Sequence, residues 1–209
     1  MELTLWMSFV GATLILAFTP GPSVLLATAN SMSFGQKKAI GTILGDLSAN
    51  LLQIILASLG LASIVAASGE LFSLIKWLGV AYLVYMGIKK IIFKPEIKKF
   101  KKDVIPKSFG KLYAEGFLMS AANPKAIVFF AALFPLFINP DAPFLPQVVI
   151  LAITFLTIDG FSLLVYTHFA GKLKGYLENK EKVYLQHKIV GVLLIFSGLM
   201  LSLIKRTNN

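Results

Sequence analysis

Cysteine is absent from this chain of 209 residues, which excludes disulfide bonds, thiolate catalysis and thiolate metal sites. Histidine is scarce, and His168 and His187 are too few to form a metal cluster on their own. Charge is scarce as well, since 14% of the residues are charged, 56% are hydrophobic and the mean hydropathy is +0.78. Soluble domains of this length are more polar, so the composition predicts a surface that mostly faces lipid.

Long apolar runs dominate the sequence. The chain begins MELTLW, with an acid where a secretory signal peptide needs basic residues, so we predict that the first run is retained as a membrane span. A bilayer core of roughly 30 Å needs about 20 helical residues. Six stretches reach or approach this length, namely Leu3 to Ser31, Ala39 to Ala67, Leu71 to Ile92, Tyr113 to Ile138, Phe144 to Ala170, and Ile189 to Ile204.

Basic residues are unevenly distributed between these spans. Two lysines follow the first span, nine lie in Lys89–Lys111 after the third and five lie in Lys172–Lys188 after the fifth, whereas the other two links have none. The positive-inside rule makes the three basic links cytoplasmic and puts both termini outside, although two basic residues near the C-terminus oppose this. The long link is predicted to set the topology and attract anionic lipid. Nucleic-acid binding is not predicted for this link.

The long basic link divides the chain into halves of three spans, so the second half enters the membrane in the opposite orientation to the first. An odd number of spans in each half therefore predicts an inverted repeat. The motif TPGP at 19–22 corresponds to NPK at 123–125, and GD at 45–46 corresponds to DG at 159–160. We therefore predict an all-α polytopic membrane protein with six transmembrane helices in one domain. Its parts are repeat one at 1–92, the cytoplasmic link at 93–112 and repeat two at 113–209.

The proline motifs predict breaks in spans one and four. A proline removes an amide donor and clashes with the carbonyl one turn back, and orphan carbonyls in lipid would cost several kcal/mol each. The backbone at Thr19–Gly21 must therefore face protein or a wet cavity. Pro22 suits the first position of a new helix, and Asn123 followed by Pro124 repeats this pattern. Each break then presents the positive end of a half-helix, which suits a carboxylate, and Lys125 adds a charge; the alternative is a plain packing kink.

Two aspartates fall within predicted spans. A carboxylate in the hydrocarbon region costs at least ~2.5–3.5 kcal/mol, so Asp46 and Asp159 are predicted to be functional, and each is a candidate proton carrier. One alternative is a static ion pair between Asp159 and Lys125, and another places Asp46 near the wet cytoplasmic surface. Each acid shares a helix face with polar neighbours, which suggests a common hydrophilic pathway. The two faces are Asp46, Asn50 and Gln53, and Asp159, Ser162 and Tyr166.

Four stretches together resemble the lysine exporter (LysE/RhtB) superfamily, specifically its RhtB-type amino-acid exporters. They are FTPGP in span one, G...GD at 41–46, IKWLGVAYLVYMGIKK at 75–90 and GFLMSAANPKAIVFFAALFP at 116–135. The resemblance covers nearly the whole chain and implies an inner-membrane protein that exports amino acids with the proton motive force and has no cofactor. The matching motif residues are Pro20, Gly21, Pro22, Asp46, Asn123, Pro124 and Lys125, whereas Leu136 departs from the polar residue common there.

From these patterns we predict a secondary active transporter, not an enzyme, that exports an amino acid or a close derivative by proton antiport. No metal site is predicted. The predicted proton-coupling residues are Asp46 and Asp159. The predicted substrate-binding residues are Thr19, Pro20, Gly21, Pro22, Ser23, Asn50, Asn123, Pro124 and Lys125.

Three alternatives compete with this interpretation. An exporter of another small solute or of a metal cation is the nearest, but the polar faces carry no cysteine or histidine for soft metals. An intramembrane enzyme would need a nucleophile and base at helical spacing, which is not visible. A passive membrane protein would gain nothing from intramembrane acids. The sequence leaves open which amino acid is exported, the stoichiometry and whether the chain forms a homo-oligomer.

Overall fold

The described part of the chain is helical. The computed structural model describes residues 1–67, 105–130, 134–139 and 142–172, together with single residues and short pieces between 77 and 93 and between 179 and 199. Strands are absent from these residues, in agreement with the predicted all-α class. The elements are α1 (Leu3–Ala17), α2 (Pro22–Phe34), α3 (Gln36–Ala67), α4 (Phe109–Ala121), α5 (Pro124–Val128), a 3₁₀ helix (Phe134–Phe137) and α6 (Phe144–His168).

The stretch predicted as the first span contains two helices. α1 ends at Ala17, α2 begins with Pro22 as its first residue, and the two axes are bent by 54°. Proline suits this position because the first-turn amides of a helix have no partner within it. Between the helices, the Thr19 hydroxyl donates to the carbonyl of Ile15. The chain therefore changes direction at the Pro-Gly-Pro motif.

A single residue, Gly35, separates α2 from α3. Its φ of +84° lies in a region that residues with a Cβ rarely adopt, so glycine is suited to ending α2 here. α3 then begins at Gln36, earlier than the predicted start at Ala39. Lys37 and Lys38 consequently lie in the first turn of α3, and the prediction of a basic link before the second span is wrong in that detail.

The stretch predicted as the fourth span is also interrupted. α4 ends at Ala121 and α5 begins at Pro124, with Asn123 as the N-cap residue between them. The Asn123 side chain accepts a hydrogen bond of 3.1 Å from the backbone amide of Lys125, as expected for a capping asparagine. α5 has only five residues, and the 3₁₀ helix follows after a short interval.

Two described helices have the length and apolar character to cross a membrane. They are α6 and the Gln36–Gly60 part of α3, each with 25 residues, and the bent pair of α1 and α2 is a third candidate when taken together. Large apolar side chains such as Leu145 and Ile153 are exposed on α6, as suits contact with lipid. The predicted third span and sixth span lie mostly outside the described residues.

Glycines bring α3 and α4 into backbone contact. A Cβ on Gly45 would lie 2.0 Å from the carbonyl oxygen of Tyr113, and a Cβ on Gly116 would lie 2.1 Å from that of Thr42. Only residues without a side chain allow helices to approach this closely. Because Asp46 directly follows Gly45, this contact also holds Asp46 close to α4.

Two apolar clusters border the polar centre of the molecule. The first is rich in aromatic rings from α1, α6 and the segment after α5, including Phe9, Phe130 and Phe155, and the last two have ring centroids 4.7 Å apart. The second joins α2, α3 and α6 through Val24, Ala27, Ile43 and Leu163. Members of both clusters form walls of the cavity described next.

Candidate functional site

Asn50 on α3 joins Asp46 and Asp159, the two aspartates that the sequence places in predicted spans. Its Nδ2 donates to Asp46 Oδ2 at 2.9 Å and to Asp159 Oδ2 at 3.0 Å. Its Oδ1 accepts a 3.0 Å hydrogen bond from the hydroxyl of Ser120 on α4. One amide side chain therefore links α3, α4 and α6, and it holds two carboxyl groups at a common point.

Asp46 is enclosed by protein. It is 3% exposed, and its second carboxyl oxygen is buried without a hydrogen-bond partner among the described residues. The alternative in which Asp46 is merely wetted at the cytoplasmic surface does not fit this burial. A buried carboxyl oxygen without a partner has hydrogen-bonding capacity left for a ligand, a water molecule or a proton.

Lys125 contacts backbone carbonyls instead of an acid. Its Nζ donates to the carbonyl of Leu16 at 2.9 Å and to that of Thr19 at 3.1 Å. Within the described residues, the ion pair that forms is the one between Lys107 and Glu115, at 2.7 Å. The alternative of a static pair between Lys125 and Asp159 is therefore wrong for this conformation, although both side chains border the same cavity.

The two interruptions of the helices meet each other. Nδ2 of Asn123, the N-cap of α5, lies 3.4 Å from the hydroxyl oxygen of Ser23 in the first turn of α2. Lys125 adds the contacts to the end of α1. The first turn of α2 has no side-chain cap, unlike that of α5, so its amides are the less occupied of the two helix starts.

Side chains from α6 and α3 satisfy further carbonyls at these interruptions. On α6, Ser162 donates to the Ala17 carbonyl at 2.9 Å, and Tyr166 donates to the Phe18 carbonyl at 2.8 Å. Gln53 on α3 lies 3.3 Å from the carbonyls at the end of α4. These residues share helix faces with the aspartates, as the spacing predicts. Their contacts, however, stabilise the backbone and do not extend a hydrophilic pathway.

The polar groups enclose a small cavity. Its volume is about 20 Å³, which is room for one or two waters and not for an amino acid. Two acids and one lysine face it, surrounded by uncharged side chains. Its walls comprise Leu16, Ala17, Ser23, Val24, Asp46, Asn50, Ser120, Asn123, Lys125, Ala126, Phe155, Asp159 and Leu163.

Most of the predicted site residues converge here. Ser23, Asp46, Asn50, Asn123, Lys125 and Asp159 line the cavity. Thr19 contributes its carbonyl to Lys125, whereas Pro20, Gly21 and Pro22 shape the backbone between α1 and α2 without lining the cavity, and Pro124 begins α5. Sequence reasoning missed Ser120, whose partner Asn50 is 70 residues away, so no local signal could have identified it. Within the described residues, no group of three metal-ligating side chains occurs.

Comparison with known proteins gives a consistent family match. The LysE type translocator family matches residues 14–204. An uncharacterized membrane protein of Vibrio cholerae serotype O1 is 31% identical and covers 98% of this chain and 100% of its own. The homoserine/homoserine lactone efflux protein of Salmonella typhimurium is 28% identical, over 94% of this chain and 95% of its own. The leucine efflux protein of Salmonella choleraesuis is 30% identical, over 92% of each. The family match confirms the resemblance predicted from the motifs. No solved structure matches this chain.

Proposed function

This chain belongs to the LysE-type translocator family, a family of transporters and not of enzymes, and on that premise we propose that it exports a neutral amino acid or close derivative by proton antiport. Two relatives support the substrate class, because one is named as exporting homoserine and its lactone and another as exporting leucine. The observation that carries the proposal is the convergence of one lysine and two aspartates on a single buried cavity. A zwitterion needs groups of both signs in its binding site.

The proposed topology places the transporter in the cytoplasmic membrane with six spans in an inverted repeat. Lys37 and Lys38 at the start of α3 and the two later lysine-rich links would lie on the cytoplasmic side, with both termini outside. α3, α6 and the bent pair of α1 and α2 would provide three of these spans, since they have the length and apolar character to do so. The residues 1–92 and 113–209 would be the two repeats, and the protein would function with lipid around it as a monomer or a homo-oligomer.

The substrate carboxylate would bind beside Lys125 and the uncapped first turn of α2. Amides at the start of a helix favour a negative group, and the Ser23 hydroxyl lies within the same turn. Asn123 adds a side-chain amide on the opposite side. The cavity must widen to admit the substrate, so the structure corresponds to the unloaded transporter in this proposal.

The proposed coupling step uses the pair of acids. Asp46 and Asp159 share Asn50 as donor, so a proton taken up by one of them neutralises that acid and lowers the summed negative charge of the pair by one. A proton entering from outside would neutralise one acid, weaken its attraction for the substrate ammonium group and favour outward release. The proton would then leave to the cytoplasm before the next cycle.

Proteoliposomes test this proposal directly. Vesicles containing the purified protein would be loaded with labelled homoserine, threonine or leucine, and efflux would be measured with and without a pH gradient. Efflux of at least one amino acid should accelerate with the gradient, Lys125→Ala should weaken substrate binding, and Asp46→Asn or Asp159→Asn should uncouple export from the gradient. Lys107→Gln is a matched control, because its partner Glu115 lies outside the cavity.

Two results would contradict the proposal. Gradient-driven export that survives both aspartate substitutions would show that neither acid couples protons. Transport of Mn²⁺ or Zn²⁺ without transport of any amino acid would favour the cation-export alternative.

A further inference from the structure

The Lys125 ammonium group lies at the carbonyl end of α1. It donates to the Leu16 carbonyl at 2.9 Å and to the Thr19 carbonyl at 3.1 Å. Backbone carbonyls at the end of a helix carry partial negative charge, and this charge favours a cation. Two carbonyls of the α1 break therefore form a site that already holds a primary ammonium group.

Lys125 binds these carbonyls even though two carboxyl groups border the same cavity. Lys125 donates to neither Asp46 nor Asp159, and both acids instead accept from Asn50. Gly21 packs close to the same ammonium group, since a Cβ on it would be in van der Waals contact with Lys125 Nζ at 3.4 Å. The carbonyl pair thus binds an ammonium group without help from a hydrogen bond to either acid.

We propose that the carbonyls of Leu16 and Thr19 form an ammonium subsite, which Lys125 fills in the unloaded transporter and which the substrate ammonium group takes over on loading. This inference rests on the proposed function for the identity of the natural ligand. The displaced Lys125 side chain would then meet the carboxylate of the same substrate. One lysine would therefore keep the carbonyls hydrogen-bonded while the transporter is unloaded and neutralise the substrate carboxylate once it is loaded.

Replacement of the Lys125 ammonium group by that of the substrate explains why a lysine, and not a permanent cap, binds these two carbonyls. A cap that never leaves would satisfy the carbonyls equally well, as the hydroxyl of Ser162 does for the carbonyl of Ala17. A lysine has a long flexible side chain whose charge is also useful at the second position. The subsite selects ammonium groups that carry N–H donors over quaternary ones, because its carbonyls require N–H donors.

Methylammonium tests the subsite in the absence of transport. Lys125→Ala would be purified in methylammonium chloride and, separately, in tetramethylammonium chloride, which carries the same charge but no N–H group. Methylammonium should raise the unfolding temperature of Lys125→Ala and bind to it roughly ten-fold more tightly than to the wild type, because hydrogen bonds between an ammonium group and carbonyls are charge-assisted. Tetramethylammonium should have no such effect.

Every outcome bears on the inference. Recovery of folded Lys125→Ala only in methylammonium would support the subsite, as would selective stabilisation of a variant that folds in both salts. Equal stability in the two salts, equal binding by the wild type, or failure to fold in either salt would overturn it. Lys107→Ala is the matched control and should behave as the wild type. Because no substrate is used, a failure of amino-acid export would leave this result intact and would count only against the proposed function.

Discussion

Replacing Asn50 with leucine should destabilise the protein through the two acids. The Asn50 side chain is buried and donates to Asp46 at 2.9 Å and to Asp159 at 3.0 Å. Leaving a buried acceptor without its partner costs about 1–3 kcal/mol, so removing the donor of both acids should lower the free energy of unfolding by about 2–6 kcal/mol. Leucine branches at the same carbon as asparagine, so a loss of this size cannot be assigned to an empty cavity.

A double-mutant cycle separates the hydrogen bonds from other effects. In the Asp46→Asn variant, Asn50 lies between one carboxyl group and one amide instead of between two carboxyl groups. Asn50→Leu should therefore cost less there than in the wild type, by about 0.5–3 kcal/mol, the usual coupling between contacting residues. The four proteins would be unfolded reversibly in bicelles and their free energies of unfolding compared.

Equal losses in the two backgrounds would refute the reasoning, because the acids would then be independent of Asn50. Ser48→Ala provides a control on the same helix. The Ser48 hydroxyl donates to the Leu44 carbonyl one turn earlier in α3, at 2.7 Å. Removing a local bond of this kind should change the free energy of unfolding by less than about 0.5 kcal/mol.

Two glycine predictions concern packing and access. Gly45→Ala should lower the unfolding temperature strongly, because its Cβ would lie 2.0 Å from the Tyr113 carbonyl oxygen. Gly60→Ala on the same helix is the control, since its Cβ would meet open space and should leave the unfolding temperature unchanged. Equal unfolding temperatures for the two variants would rule out the backbone contact. Gly21→Ala should fold, because the Gly21 backbone is extended at φ −134° and a Cβ would lie 3.4 Å from Lys125 Nζ, but should slow export by narrowing the approach to that ammonium group. An unchanged export rate would show that no substrate passes Gly21.

The helix starts at Pro22 and Pro124 could be predicted because their causes are local. A proline tolerates the first turn of a helix and disfavours the turn before it, and Asn123 adds a cap from the adjacent position. The predicted start of α3, at Ala39, was less accurate, because hydropathy alone places Lys37 and Lys38 in a loop. The decisive signal was Gly35, whose positive φ ends α2 and allows a new helix to begin at once.

The partners of the polar side chains could not be predicted, because they depend on how the helices pack. Helical spacing correctly placed Ser162 and Tyr166 on one face with Asp159. It could not show that the end of α1 lies against that face, where its carbonyls take up both hydroxyl groups. The charge of Lys125 likewise suggested an acid as its partner, and the geometry supplies the Leu16 carbonyl instead.

These contacts cross between the two predicted repeats. The carbonyls at the end of α1, in the first repeat, accept from Lys125 and Ser162 of the second, while Gln53 of the first repeat lies against the end of α4 in the second. Each interruption is thus stabilised by the opposite half of the chain. Any motion that separates the halves to open the cavity must break these bonds or replace them. We therefore expect an open state only where substrate or water takes over the exposed carbonyls, since leaving them unpaired in the membrane would cost several kcal/mol each.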